Sequence, residues 1–139
     1  MTGEFLESAG AGRRAKPSVL LLEDIAPTAL QTFADAGFTD VQLEKTAFEA
    51  DALTPRLARV EVLGVRSRSK ITREVLNAAP HLLALGCFSV GTNQVDLDAA
   101  RRLGVPVFNA PFSNTRSVAE LTIAEIVMLY RGVFSKSLA

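Results

Sequence analysis

Five short aliphatic runs, separated by helix-length amphipathic stretches, constrain this chain more than any other feature. The runs are Val19 to Leu22, Asp40 to Leu43, Glu61 to Val65, Leu82 to Leu85 and Val105 to Phe108. Each has the length and aliphatic character of a buried strand. The first intervening stretch opens at Pro27 and runs to Ala36, with Leu30, Phe33 and Ala34 on one face and Gly37 as its stop. The second covers Glu49 to Ala58. The third covers Thr72 to Ala79, with Thr72 as N-cap and Pro80 as terminator. The fourth covers Val95 to Leu103 and ends at Gly104. Strands joined through helices run parallel.

The expected class is therefore α/β, a doubly wound five-stranded parallel sheet that is flavodoxin-like in outline. The 139 residues suffice for one domain with a core. Residues 1–16 are expected to be a flexible tail, with no apolar stretch of signal-peptide length. Residues 17–112 hold the sheet domain. Residues 113–139 are different. The helix expected from Arg116 to Arg131 carries apolar side chains on nearly every face, which normally means burial on all sides. Glu120 and Glu125 and its short length argue against a membrane span. The expectation is that something outside this chain covers it; the alternative is that it closes one face of the sheet.

Lys and Arg number 15, Asp and Glu 15, so the formal net charge is zero and no global field favours nucleic acid or an anionic membrane. Anion recognition must then come from a few placed cations. Cys87 is the only cysteine, which excludes an internal disulfide and points to a reducing cytoplasm. His81 is the only histidine, and its place after Pro80 puts it at the edge opposite the strand ends.

In open parallel sheets ligands bind beyond the carboxyl ends of the strands. Arg66-Ser67-Arg68 follows the third run there. Two guanidinium forks flanking a hydroxyl suit carboxylate or phosphate oxygens, and Lys45 after the second run could add a point charge. Solvated surface cations are the equally weighted alternative. Gly86 to Asn93 could present backbone amides to an oxyanion. Thr92-Asn93 stands where a nucleoside-triphosphate loop needs Lys and Ser or Thr, which excludes that ligand. Asp96 and Asp98 read as helix caps rather than metal ligands, and no metal site is expected. Glu23-Asp24 resembles the acidic pair of a phosphoreceiver domain, but Arg66 and Asn109 occupy the places where such a domain needs Asp and Lys.

Several blocks carry a closer likeness: Gly64-Val65-Arg66-Ser67-Arg68, Gly86-Cys87-Phe88, Gly91 to Ala100, and above all Gly104 to Glu120. Over about Lys16 to Val133 the chain resembles the bacterial D-3-phosphoglycerate dehydrogenases, within the D-isomer-specific 2-hydroxyacid dehydrogenase family. The resemblance implies an NAD-dependent oxidoreductase. It would transfer hydride from the 2-hydroxyl carbon of 3-phosphoglycerate, opening serine biosynthesis. It implies a substrate-binding role for Arg66, Ser67, Arg68, Lys45, Val90, Gly91 and Asn109, with Val90 also near the nicotinamide. The loop from Asn109 to Ser117 would be a hinge, and the Arg116 to Arg131 helix the first of a Rossmann cofactor domain and part of a homo-oligomer interface. The family's catalytic Arg, Glu and His and its G-x-G-x-x-G loop have no counterpart in these residues, and His81 does not correspond to the catalytic His. A substrate-recognition part that is inactive alone is therefore expected, with a non-catalytic dimerisation or anion-binding module as the alternative.

Overall fold

The computed structural model describes residues 16–137. The expected tail, Lys16 apart, lies outside them. The strands are β1 (Val19–Leu21), β2 (Val41–Leu43), β3 (Val62–Val65), β4 (Ala84–Cys87) and β5 (Val107–Asn109). They form one parallel sheet in the order β2-β1-β3-β4-β5. This is the expected α/β, flavodoxin-like arrangement.

Strand alternation sorts the side chains into two cores. Leu20, Leu22, Leu63, Val65, Leu85 and Cys87 face one side. They are covered by Leu53 of α2 (Ala50–Leu53), Val75 and Leu76 of α3 (Arg73–Asn77), and Ala99 and Ala100 of α4 (Leu97–Leu103). Val19 and Leu21 face the other side, under Ala29 and Phe33 of α1 (Thr28–Asp35). That second cover stops near β3. Phe88, after β4, is 44 % exposed and Phe108, on β5, is 63 % exposed.

Among the boundaries that differ from the expectation, three have a clear local reason. The helix expected over Glu49 to Ala58 is α only to Leu53 and continues as a 3-10 turn over Thr54–Arg59, because Pro55 has no N–H to donate. The fourth strand starts at Ala84 rather than Leu82, since the Leu82 N–H closes a turn on the Ala79 carbonyl. The fifth starts at Val107 rather than Val105. The Val105 N–H returns to the Ala100 carbonyl, and Gly104 takes the left-handed conformation (φ 72°) that this helix ending requires.

Thr72 caps α3 as expected, accepting from the Val75 N–H, and Asp96 caps α4, accepting from the Ala99 N–H at 2.8 Å. The last long helix, α5 (Thr115–Tyr130), buries no side chain, and Tyr130 is 90 % exposed. A short α6 (Val133–Ser137) follows. α5 does not close the open sheet face. Among the described residues no helix is long and apolar enough to cross a membrane.

Candidate functional site

β1 ends in a turn that most sequences avoid. Glu23 (φ 65°) and Asp24 (φ 55°) are successive non-glycine residues in the left-handed region, each disfavoured by roughly 1–2 kcal/mol. Their N–H groups donate to the Thr46 and Glu44 carbonyls. The turn carries the Glu23 carboxylate beneath the loop that leaves β3. There Oε2 accepts from the N–H groups of Ser67 (3.0 Å) and Arg68 (2.9 Å), and Oε1 from that of Ser69 (2.9 Å). Glu23 is only 1 % exposed. The side chains of Arg66, Ser67 and Arg68 are exposed above it. Arg68 also keeps its Nε 3.9 Å from Glu23 Oε2.

Burial pushes the Glu23 carboxyl up, but hydrogen bonds from the Ser69 and Arg68 amides, the Ser69 hydroxyl and the Arg66 backbone outweigh it. The net result is a value held below the ordinary 4.5. A carboxyl depressed by folding stabilises fully above its unfolded-state value, and that contribution is lost as pH falls through the lower folded value. Glu23→Gln is therefore expected to flatten the acid limb of stability against pH, measured by denaturant unfolding from pH 7 down to pH 3. An acid limb identical to that of the parent chain would contradict this.

A second loop, after β4, is tied to the first by Gln94, which is buried. Its Nε2 donates to the Arg66 carbonyl and to Ser89 Oγ, and Ser89 Oγ donates onward to the Gly91 carbonyl at 2.8 Å. The end of β5 joins through Asn109, whose Nδ2 donates to the Val90 carbonyl at 2.7 Å. Arg66, Ser67 and Arg68 are thus coupled to Val90, Gly91 and Asn109. Lys45 is not part of this network among the described contacts. It is exposed, and its neighbours Glu44 and Thr46 accept from the Asp24 and Glu23 N–H groups.

Asp24, Ile25, Ala26, Arg66 and Phe88 line a cavity of about 320 Å³. A larger hollow of about 510 Å³ lies by the starts of α3 and α4. Its Arg73 and Asp96 already pair at 4.0 Å, whereas Arg66 at the smaller cavity has no salt-bridge partner among the described residues. His81 is exposed and precedes β4, at the other edge. Cys87 is buried, and burial, followed by the Glu23 charge, pushes its thiol up, away from nucleophilic use. Among the described residues no cluster of three metal-capable side chains forms.

Two residues of this network were not singled out by sequence pattern. Glu23 read only as half of an acidic pair, and Gln94 only as one letter of a motif. The usable signal for Glu23 was an acid directly after a fully buried strand, where an unpaired charge is costly.

Comparison with known proteins gives a consistent picture. Residues 19–136 match the family described as D-isomer specific 2-hydroxyacid dehydrogenase, catalytic domain. The chain is 50 % identical over 118 residues to D-3-phosphoglycerate dehydrogenase of Escherichia coli K12, covering 85 % of this chain and 29 % of that protein. It is 49 % identical over 120 residues to the same enzyme of Haemophilus influenzae, covering 86 % and 29 %. It therefore spans under a third of the length of these curated relatives. Among solved structures, the TT0316 protein of Thermus thermophilus superimposes with a TM-score of 0.77 at 30 % identity, over 86 % of this chain and 39 % of that one. D-lactate dehydrogenase of Aquifex aeolicus, solved with NAD and lactic acid, superimposes with a TM-score of 0.67 at 28 % identity, over 81 % and 33 %. With residues 19–136 matching that family and the parallel sheet superimposing on these solved structures, the chain belongs to the D-isomer specific 2-hydroxyacid dehydrogenase family.

Proposed function

We propose that these residues form the substrate-recognition part of an NAD-dependent phosphoglycerate dehydrogenase acting on 3-phosphoglycerate at the head of serine biosynthesis. The observation that carries this reading is the coupling of Arg66-Ser67-Arg68 to Val90-Gly91 and Asn109 at the carboxyl ends of β3, β4 and β5. 3-Phosphoglycerate has a phosphate at one end and a carboxylate at the other. The Arg66 and Arg68 forks and the Ser67 hydroxyl would meet one anionic end, with Lys45 contributing long-range charge. The Val90 and Gly91 N–H groups would meet the carboxylate. Asn109, by holding the Val90 carbonyl, would keep those amides in place.

NAD would accept the hydride. Of these residues, Val90 offers an exposed apolar side chain to a nicotinamide ring. They contain no G-x-G-x-x-G loop to take a pyrophosphate. They also place no histidine near the site to receive the hydroxyl proton. The 139 residues alone are accordingly expected to produce no NADH from 3-phosphoglycerate and NAD. Turnover above a chain carrying Arg66→Ala would refute this division of labour. Binding, in contrast, is expected to be measurable by calorimetry.

The exposed, all-round apolar α5 supports association of these chains with one another, since an apolar surface of that extent favours burial. Ile126 and Leu129 lie on one face of α5 at i, i+3 spacing. Ile126→Asp with Leu129→Asp is expected to lower the mass seen by light scattering from oligomer to monomer. A monomeric parent chain at high concentration would contradict the association. The lone free thiol at Cys87 accords with a cytoplasmic setting, and the zero net charge supports neither a nucleic-acid nor a membrane partner.

A further inference from the structure

We propose that Glu23 is a positioning residue for substrate recognition: its carboxylate fills the anion-holding concavity formed by the Ser67, Arg68 and Ser69 amides and fixes the loop that presents Arg66 and Arg68. The inference rests on the reading of that loop as the substrate site.

Three successive N–H groups converging on one point make a concavity that binds anions. Here the point is already taken. Both Glu23 oxygens lie within 3.0 Å of those amides, and the carboxylate is closed off from solvent. An incoming anion therefore cannot use these backbone donors and must be met by side chains. That shifts recognition from generic oxyanion binding to the geometry of two guanidinium forks and a hydroxyl. Glu23 also ties down the far end of the loop. Ser69, whose N–H donates to Oε1, is buried and accepts the Phe48 N–H at its Oγ (3.3 Å). Gln94 holds the near end at the Arg66 carbonyl. The loop is thus pinned at both ends while its cationic side chains stay exposed.

The left-handed pair at Glu23 and Asp24 fits this role. Strained backbone at non-glycine residues persists where surrounding structure over-determines it, commonly at ligand clamps. Arg68 is shared, with Nε 3.9 Å from Glu23 Oε2. An anion arriving above the loop would compete with Glu23 for that guanidinium.

The test compares Glu23→Gln with a control, Leu57→Ala, which removes a fully buried side chain of the 3-10 turn. Gln keeps the shape but turns an NH2 toward amide donors. Hydrogen exchange of the Ser67, Arg68 and Ser69 amides is expected to quicken about tenfold in Glu23→Gln, with exchange in β1 and β3 little changed. Affinity for 3-phosphoglycerate, measured per folded molecule, is expected to fall about tenfold. In Leu57→Ala it should hold although stability drops. Unchanged exchange at the three amides would overturn the proposal. So would an affinity that stays level or tightens, which would mean that Glu23 only repels anions. Equal loss of affinity in Leu57→Ala would reduce Glu23 to a general structural role and also overturn it. A parent chain that does not bind 3-phosphoglycerate would refute the substrate reading, and with it the recognition role of Glu23. The exchange measurement would still report whether the carboxylate fixes the loop.

Discussion

Arg66→Ala is expected to weaken binding of 3-phosphoglycerate by roughly ten- to a hundredfold, the loss of one charge-assisted, two-pronged contact. Arg66 lies at the cavity beside Asp24 and Phe88, with its side chain exposed and its carbonyl held by Gln94. Truncating it removes the fork without disturbing the loop, so stability should change by no more than about 0.5 kcal/mol. Arg66→Lys separates charge from geometry. A lysine keeps the positive charge but not the fork, and its affinity should fall between those of the parent and the alanine variant. Full affinity in Arg66→Ala, at unchanged stability, would mean the anion sits elsewhere.

Gly64→Val should be the most damaging single change near the site for stability, at roughly 2–3 kcal/mol, through overpacking. Gly64 lies in the middle of β3. A Cβ there would come within 2.5 Å of Leu21 Cδ2, 3.0 Å of Phe88 Cε2 and 3.4 Å of Ile25 Cδ1. Leu21 is fully buried and Ile25 nearly so, so neither can yield without moving the core under α1. Phe88 is the one neighbour with room to swing out, and it borders the candidate cavity. The variant should therefore lose stability and disturb the Phe88 wall of the site together. Urea unfolding checks the first effect and ring proton shifts of Phe88 the second. A cost below about 0.5 kcal/mol, the range of a surface substitution, would show the contact to be soft.

Much of this arrangement is legible in the amino-acid sequence. The aliphatic runs at Val19, Glu61 and Leu82 identify strands because a parallel sheet buries both faces and its strands carry near-continuous apolar runs. Thr72, Asp96 and Gly104 mark helix ends because each satisfies backbone groups by a local, one-residue rule. The boundaries that shifted did so through non-local or competing bonds. Leu82 and Val105 are aliphatic enough for strands, yet their N–H groups are spent closing the preceding turns. Pro55 converted half of an expected helix into a 3-10 turn.

The cationic side of the site followed from residue type and strand-end position alone. Its support did not. Glu23 acts on amides 44 to 46 residues away, and Gln94 on a carbonyl 28 residues away. Periodicity carries no record of such pairings. Strand-end logic placed Lys45 on the same rim, and the residues on either side of it, Glu44 and Thr46, accept from the Asp24 and Glu23 N–H groups. The apolar α5 stands out by composition, and in the fold it buries no side chain.

Titration of the isotopically labelled chain with 3-phosphoglycerate tests substrate recognition by these residues most directly. Saturable shifts are predicted at the Ser67, Arg68, Val90 and Gly91 amides and at the Asn109 side-chain amide, with α5 unaffected and the response lost in Arg66→Ala. No saturable response, or shifts confined to the hollow between Lys70 and Asp96, would contradict it.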